Sequence, residues 1–152
     1  MGSIAHPTLA TPLGPLSVTE DAGRIVRLDW HAQERCATAL EAEALAQLQA
    51  YFDGRLTRFD VPLDFGHALH ARVRSAMAAI PFGQTLTYGE IARAVQAPAQ
   101  AVGQACGANP LPILIPCHRV LGARTLGGFS AKGGVETKVW LLRHEGAGGL
   151  LI

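Results

Sequence analysis

Residues 109–122 read NPLPILIPCHRVLG. An apolar run, Leu111 to Ile115 with Pro112 inside it, leads straight into Pro116-Cys117-His118-Arg119. A free thiol has a pKa of roughly 8.5, so only a small fraction is thiolate at neutral pH. An imidazole that takes the proton, or a positive charge beside the sulfur, makes a nucleophile of it. These neighbours mark Cys117 as the candidate nucleophile. The competing reading is an inert, packed thiol, the usual state of a free cysteine. Adjacency in sequence does not by itself bring His118 to Cys117. On a strand the two side chains point to opposite faces; around a proline-initiated turn they converge, or share a bridging water. A histidine base also needs an acceptor on its other ring nitrogen. Glu145, at the end of LLRHEG, is a carboxylate of the right type.

The remaining thiols and imidazoles carry less. Cys36 and Cys106 lack such neighbours and read as packing or surface residues. Three cysteines form no even framework and no CxxC pair, which suits a reducing compartment and free thiols. His67 and His70 sit three apart on an expected helix, where a solvated face is the simpler reading than a metal site. We expect no metal and no cofactor. Of the 152 residues, 49% are hydrophobic, enough for a packed core. The net charge of +1 neither requires nor forbids a nucleic-acid partner. No apolar run approaches the roughly 20 residues of a membrane span, and the start, MGSIAHPTLA, lacks the form of a secretory signal. The expectation is a cytoplasmic protein with no membrane partner.

The elements that must position these residues follow from periodicity. Residues 14–30 read as two strands around a turn at Asp21-Ala22-Gly23, with Val26, Leu28 and Trp30 alternating against Arg27 and Asp29. Residues 40–53 change period: Ala44, Leu45, Leu48, Tyr51 and Phe52 form one helical face, stopped by Gly54. FDVPLDF, residues 59–65, is extended, with Pro62 favouring an edge or a linker. The boundary between two lobes is placed there, giving 1–65 and 66–152. Beyond it, Leu69, Val73, Ala76, Met77 and Ile80 share a helical stripe. Thr87 stands three residues before Glu90, a capping-box spacing that opens a short helix. Pro98 opens the next, which contains Gly103 and Gly107. Two short helices around a tight turn suit a helix-turn-helix, whose second helix can enter a DNA groove. PILI, residues 112–115, reads as a short buried strand or extended run. A final helix has Val135, Val139 and Leu142 facing inward and Gly146 as its stop.

The motif PCHRV, preceded by GANPLPILI and followed by GGFS and KVWLLRHEG, resembles the O6-alkylguanine-DNA alkyltransferases. TPLGPLSV, YFDGRLTRFDVPLD and IPFGQTLTYGEIA extend the likeness over about residues 11–147. The resemblance implies an α+β protein: a small β-rich N-terminal lobe, ribonuclease H-like in that family, and a mostly helical C-terminal helix-turn-helix lobe carrying the active cysteine. It implies direct, stoichiometric transfer of the alkyl group from O6-alkylguanine in double-stranded DNA to Cys117. The base is flipped out of the duplex, because its O6 is otherwise paired and stacked. No cofactor removes the group, so each molecule reacts once; a monomer is expected. By the same resemblance, His118 takes the thiol proton through a water and Glu145 orients His118. Tyr88 donates toward guanine N3. Asn109 holds the turn before the active-site segment. Carbonyls of Cys117 and Val120 accept from the guanine amino group, and Ser130 lies in the loop that closes over O6. Gln100, Ala101, Gly103 and Arg119 complete the expected DNA- and base-contacting set.

The chain also departs from the family's pattern. Gln100 stands where an arginine usually fills the gap left by the flipped base, which implies slower repair of duplex DNA. Leu69 and Arg74 occupy positions where aromatic residues are common. GFSAKGG is longer than in some relatives and has Phe129 where tyrosine is frequent. No Cys/His set matches the zinc site that some relatives carry. Two other functions fit parts of the pattern: a sensor of alkylated DNA, which would not need Cys117, and a Cys-His acyl hydrolase, which would need an oxyanion hole and would turn over.

Overall fold

The structure, a computed structural model, describes residues 6–129 and 133–147. The chain divides into two compact units, with the boundary between Asp64 and Phe65. The first holds an antiparallel sheet of β1 (Thr8–Thr11), β2 (Gly14–Asp21) and β3 (Arg24–Asp29), in that order, and one helix, α1 (Ala39–Phe52). Ala22 and Gly23 join β2 to β3, both at positive φ, as a two-residue hairpin turn demands. The buried residues of β3 are Ile25 and Leu28, three apart, and not the alternating set expected from the sequence. The register shifts beside Thr19, where Arg27 pairs with Thr19 but Ile25 with Glu20. Val26 is the extra residue, and this bulge turns Ile25 onto the core face with Leu28. β1 escaped the sequence reading, because four residues carry too little alternation.

α1 opens on a reciprocal capping box between Thr38 and Glu41. Glu41 is buried and also accepts two hydrogen bonds from Arg35, at 2.9 Å each. Ala44, Leu45, Leu48 and Tyr51 form the inward face that the periodicity indicated. The Pro62 segment runs along the sheet edge: Leu63 bridges Ile25, and Ile25 donates to the Pro62 carbonyl at 2.9 Å. A proline fits there because only its carbonyl is used.

The second unit is built on three packed helices, α2 (Ala68–Ala78), α3 (Tyr88–Val95) and α4 (Ala99–Gly107). Val73, Met77, Ile91, Val95, Val102 and Ala105 supply their common core. Thr87 and Glu90 make the expected capping box at the start of α3. Gln96 ends α3 in the left-handed conformation. Pro98 is the cap of α4 and lies just outside it, one place earlier than its expected role as the first helical residue.

Pro112–Ile115 is not a strand. Leu114 donates back to Pro112 and Ile115 to Leu111, at 2.9 and 2.8 Å, with Ile113 at a φ of 72°. The run is apolar because it is a buried turn; a short apolar stretch cannot tell these cases apart. A 3-10 turn, Cys117–Arg119, follows directly, and then β5 (Val120–Leu121). β5 pairs in parallel with β4 (Leu86–Thr87). This two-residue ladder ties the start of α3, and so Tyr88, to the segment carrying Cys117.

The last helix, α5 (Gly134–His144), turns Thr137, Lys138, Leu141 and Leu142 inward. Val135 is 44% exposed and Val139 half-buried, so of the three expected inward residues only Leu142 is fully so. A lysine takes the inward place, because its ammonium finds carbonyls to bind.

Candidate active site

Cys117 sits at the start of the 3-10 turn, 9% exposed, in the wall of a pocket of about 390 Å³. That size falls in the range of small-molecule sites. α4 contributes Gly103, Cys106 and Gly107 to the pocket, and Tyr88, Gly128 and Phe129 supply further lining. Positions 103, 106 and 107 share one helical face, a spacing that could have placed Cys106 at the pocket from sequence. The sequence alone marks Cys106 as a packing or surface residue. Its thiol donates to the Met77 sulfur at 3.5 Å. Burial, and then the Cys117 charge, push its pKa up to about 12, so it stays protonated and is no rival nucleophile.

His118 is fully buried. Its Nε2 lies 2.7 Å from a Glu145 oxygen. Burial works against the charge on Glu145, but hydrogen bonds from His118 and Arg119 outweigh it and hold the carboxyl at about 2. An ionised carboxylate only accepts, so Nε2 carries the hydrogen and Nδ1 is left with its lone pair. Nδ1 is buried with no hydrogen-bond partner among the described residues. Burial also lowers the His118 pKa, against the pull of Glu145, so the ring is neutral. The arrangement is a neutral imidazole held by one nitrogen and basic at the other.

Arg119 does not belong with the DNA-contacting residues where the sequence reading put it. It is 5% exposed, donates to both Glu145 oxygens at 2.8 and 2.9 Å, and donates to the Ile80 carbonyl at 2.6 Å. A guanidinium whose fork is filled by a buried carboxylate has nothing left for a phosphate. Arg119 is the cation that balances Glu145, and this leaves His118 uncharged.

Lys138 is the residue the sequence reading missed. It is fully buried and donates to the carbonyls of Val120 and Gly128, at 2.7 and 3.0 Å. Its ammonium lies 5.9 Å from the Tyr88 ring centre. Burial brings its pKa down to about 8, opposed by the Cys117 and Cys106 charges. Hence it is largely protonated at neutral pH and stabilises a thiolate at Cys117. The signal available was a single lysine among the apolar residues of VETKVWLL. The carbonyl of Val120, expected to face the guanine amino group, already accepts from Lys138.

Asn109 is buried between α4 and the turn. Its amide donates to the Ile115 carbonyl at 3.0 Å, and its oxygen accepts from Leu111 at 3.1 Å. The same side chain pulls the Cys117 pKa down, against burial. Tyr88 is half-buried, and desolvation with the two nearby thiols raises its pKa, so its phenol remains a donor. Gly127, at a φ of 73°, passes so close that a Cβ there would lie 3.0 Å from the Tyr88 ring. Gln100 is exposed near the start of α4 and Ala101 half-buried; neither lines the pocket. Ser130 lies outside the described residues.

Burial raises the Cys117 pKa, against hydrogen bonds from Asn109 and the charge of Lys138. The resting group is therefore a thiol, as a mechanism in which His118 takes its proton requires. Without substrate, iodoacetamide should modify exposed Cys36 well before Cys117. Peptide mapping over a time course checks this, and faster labelling of Cys117 would contradict it.

A shielded thiol next in sequence to a neutral histidine, with a helix-turn-helix supplying one pocket wall, suits a protein that transfers a group to a single cysteine. Comparison with known proteins agrees. The family described as 6-O-methylguanine DNA methyltransferase matches twice: its DNA-binding domain over residues 68–147 and its ribonuclease-like domain over residues 4–65. A methylated-DNA–protein-cysteine methyltransferase of Mycobacterium bovis is 41% identical, covering 93% of this chain and 92% of its own. The constitutive enzyme of that name from Bacillus subtilis is 39% identical over 92% and 94% of the two chains. The crystal structure of the Mycobacterium tuberculosis O6-methylguanine methyltransferase superposes with a TM-score of 0.81 at 38% identity, covering 97% of this chain and 95% of that one. The M. tuberculosis protein in complex with DNA gives 0.79 at 40% identity over 92% and 91%. The chain belongs to the 6-O-methylguanine DNA methyltransferase family.

Proposed function

We propose that this protein repairs O6-alkylguanine in double-stranded DNA by moving the alkyl group onto its own Cys117. The observation that carries the mechanism is the buried Nδ1 of a neutral His118, without a hydrogen-bond partner among the described residues and next in sequence to a pocket-lining thiol. The helix-turn-helix is presented to the duplex and the flipped base enters the pocket. His118 Nδ1 takes the Cys117 proton through a bridging water. The resulting imidazolium is held by the ionised Glu145, and Lys138 stabilises the thiolate. Sulfur attacks the alkyl carbon as the C–O6 bond breaks. The electron pair stays on the guanine, and Tyr88 donates toward N3 to ease its departure. The product is a thioether that no group in the site can cleave, so the protein acts once.

In this reading Asn109 fixes the turn, Ala101 and Gly103 lie on the DNA-facing helix, and Ser130 is in the loop over the base. The protein works as a cytoplasmic monomer without cofactor or metal; its cysteines, which form no disulfide among the described residues, suit that compartment. A benzylated guanine offered beside an ester substrate tests the reaction class. One equivalent of benzyl retained per protein, with no repeated ester cleavage, is expected. Sustained release from the ester would instead make it a hydrolase.

Gln100 is exposed on α4, where it can enter the duplex. Glutamine fills less of an emptied base position than arginine and brings no charge. The variant Gln100→Arg should therefore repair duplex DNA several-fold faster while reacting unchanged with the free alkylated base. Single-turnover rates on both substrates decide it, and an unchanged duplex rate would refute the role.

A further inference from the structure

α2 carries an arginine in its buried stripe, between Val73 and Met77. Arg74 is only 7% exposed. Its guanidinium donates to the carbonyl of Phe65, the first residue of the second unit, and to that of Ala108, both at 3.3 Å. His70 Nδ1 lies 3.5 Å away, and Nε has no hydrogen-bond partner among the described residues. The path beside it is closed: a Cβ on Gly66, whose φ is 79°, would lie 2.6 Å from the guanidinium.

Ala108 is the C-terminal cap of α4. The last carbonyls of a helix lack partners within it, and a cation there is favourable. Lysine or arginine in the helix's own last turn often serves, but α4 has no basic residue in its last turn. Arg74 supplies the charge from the neighbouring helix. The place is sensitive. Cys106 and Gly107, immediately before Ala108, form pocket wall. Asn109, immediately after, holds the turn that leads into Cys117.

We infer that Arg74 is a positioning residue: by capping α4 from α2, it sets the pocket wall and the Asn109 turn at the distance from Cys117 that alkyl transfer requires. The kinetic part of this rests on the proposed repair reaction; the capping part does not.

Three measurements on the full chain test it, with Arg74→Met, which keeps the apolar stem, and Arg74→Lys, which keeps a charged donor. Amide hydrogen exchange without DNA should speed up about tenfold at residues 105–109 in the Met variant, with α5 unchanged. Single-turnover alkyl transfer should slow about tenfold from duplex and from free benzylated guanine alike, since the pocket itself shifts. The Lys variant should recover most of both. Wild-type exchange at residues 105–109 in the Met variant would overturn the inference. So would acceleration spread evenly over the unit, with activity lost only in proportion to thermal unfolding, because that is a general structural role. If the Met variant does not fold, Arg74→Gln, which keeps a donor without the charge, decides: faster exchange at residues 105–109 supports the cap and wild-type exchange refutes it. If the unaltered protein transfers no alkyl group, the repair reading fails while the exchange experiment still decides the cap.

Discussion

Replacing Cys117 with alanine should abolish alkyl transfer and leave DNA binding nearly unchanged. The two effects separate because the sulfur lies in the pocket wall, whereas Gln100, exposed at the start of α4, is not among the residues that line it. Alanine removes only the thiol, and the preceding turn stays anchored by buried Leu111, Ile113 and Ile115. No other thiol of the pocket can stand in. Cys106 shares the pocket, but its pKa of about 12 keeps it a thiol. Transfer should fall below detection, while the affinity for a duplex carrying the lesion, measured by fluorescence anisotropy, stays within about twofold. Binding itself should weaken steeply with salt, as phosphate contacts do. Residual methylation of the alanine variant at Cys106 would show that the pocket, and not His118, activates the thiol. Loss of binding would make Cys117 a structural residue.

Changing Glu145 to glutamine should damage both activity and stability. Glu145 accepts from His118 and twice from Arg119, and its side chain is fully buried. The variant leaves the Arg119 guanidinium buried without its counter-charge, which typically costs about 3–5 kcal/mol. It also removes the anion that fixes the His118 tautomer and holds the imidazolium formed during transfer, so the rate should fall by about two orders of magnitude or more. The pH dependence of unfolding gives an independent check. The folded pKa of Glu145, about 2, lies below its ordinary 4.5. Its contribution is thus complete above 4.5 and is lost as pH falls toward 2. His118 is lowered from 6.5, so the unfolded chain takes up a proton first and stability begins to decline below 6.5. In the glutamine variant the fall below 4.5 should flatten and the step near 6.5 should remain. An unchanged acid profile would contradict the ionised Glu145 that fixes the His118 tautomer.

Periodicity and caps were legible where the elements are long and amphipathic. The inward face of α1 and the Thr87–Glu90 box at α3 stand as the spacing indicates. The misreadings have local causes. The bulge at Val26 turns a simple alternation into a three-residue spacing, and no local signal in the strand reveals it. PILI could be strand or turn, and the pairing of Asn109 with Ile115 decides for the turn. The CHR motif named the nucleophile and base, but reading Arg119 as DNA-facing ignored that a buried Glu145 needs a cation. Lys138 and Arg74 were hardest to see, because each spends its charge on backbone carbonyls that only the folded chain brings together.

The most direct test is the intact mass of the protein after incubation with a duplex containing one O6-methylguanine. The account predicts a gain of one methyl group, located on Cys117 by peptide mapping, that stops at one per molecule however much DNA is added. No gain on duplex or on free alkylated guanine, from folded protein that still binds the lesion, would contradict it.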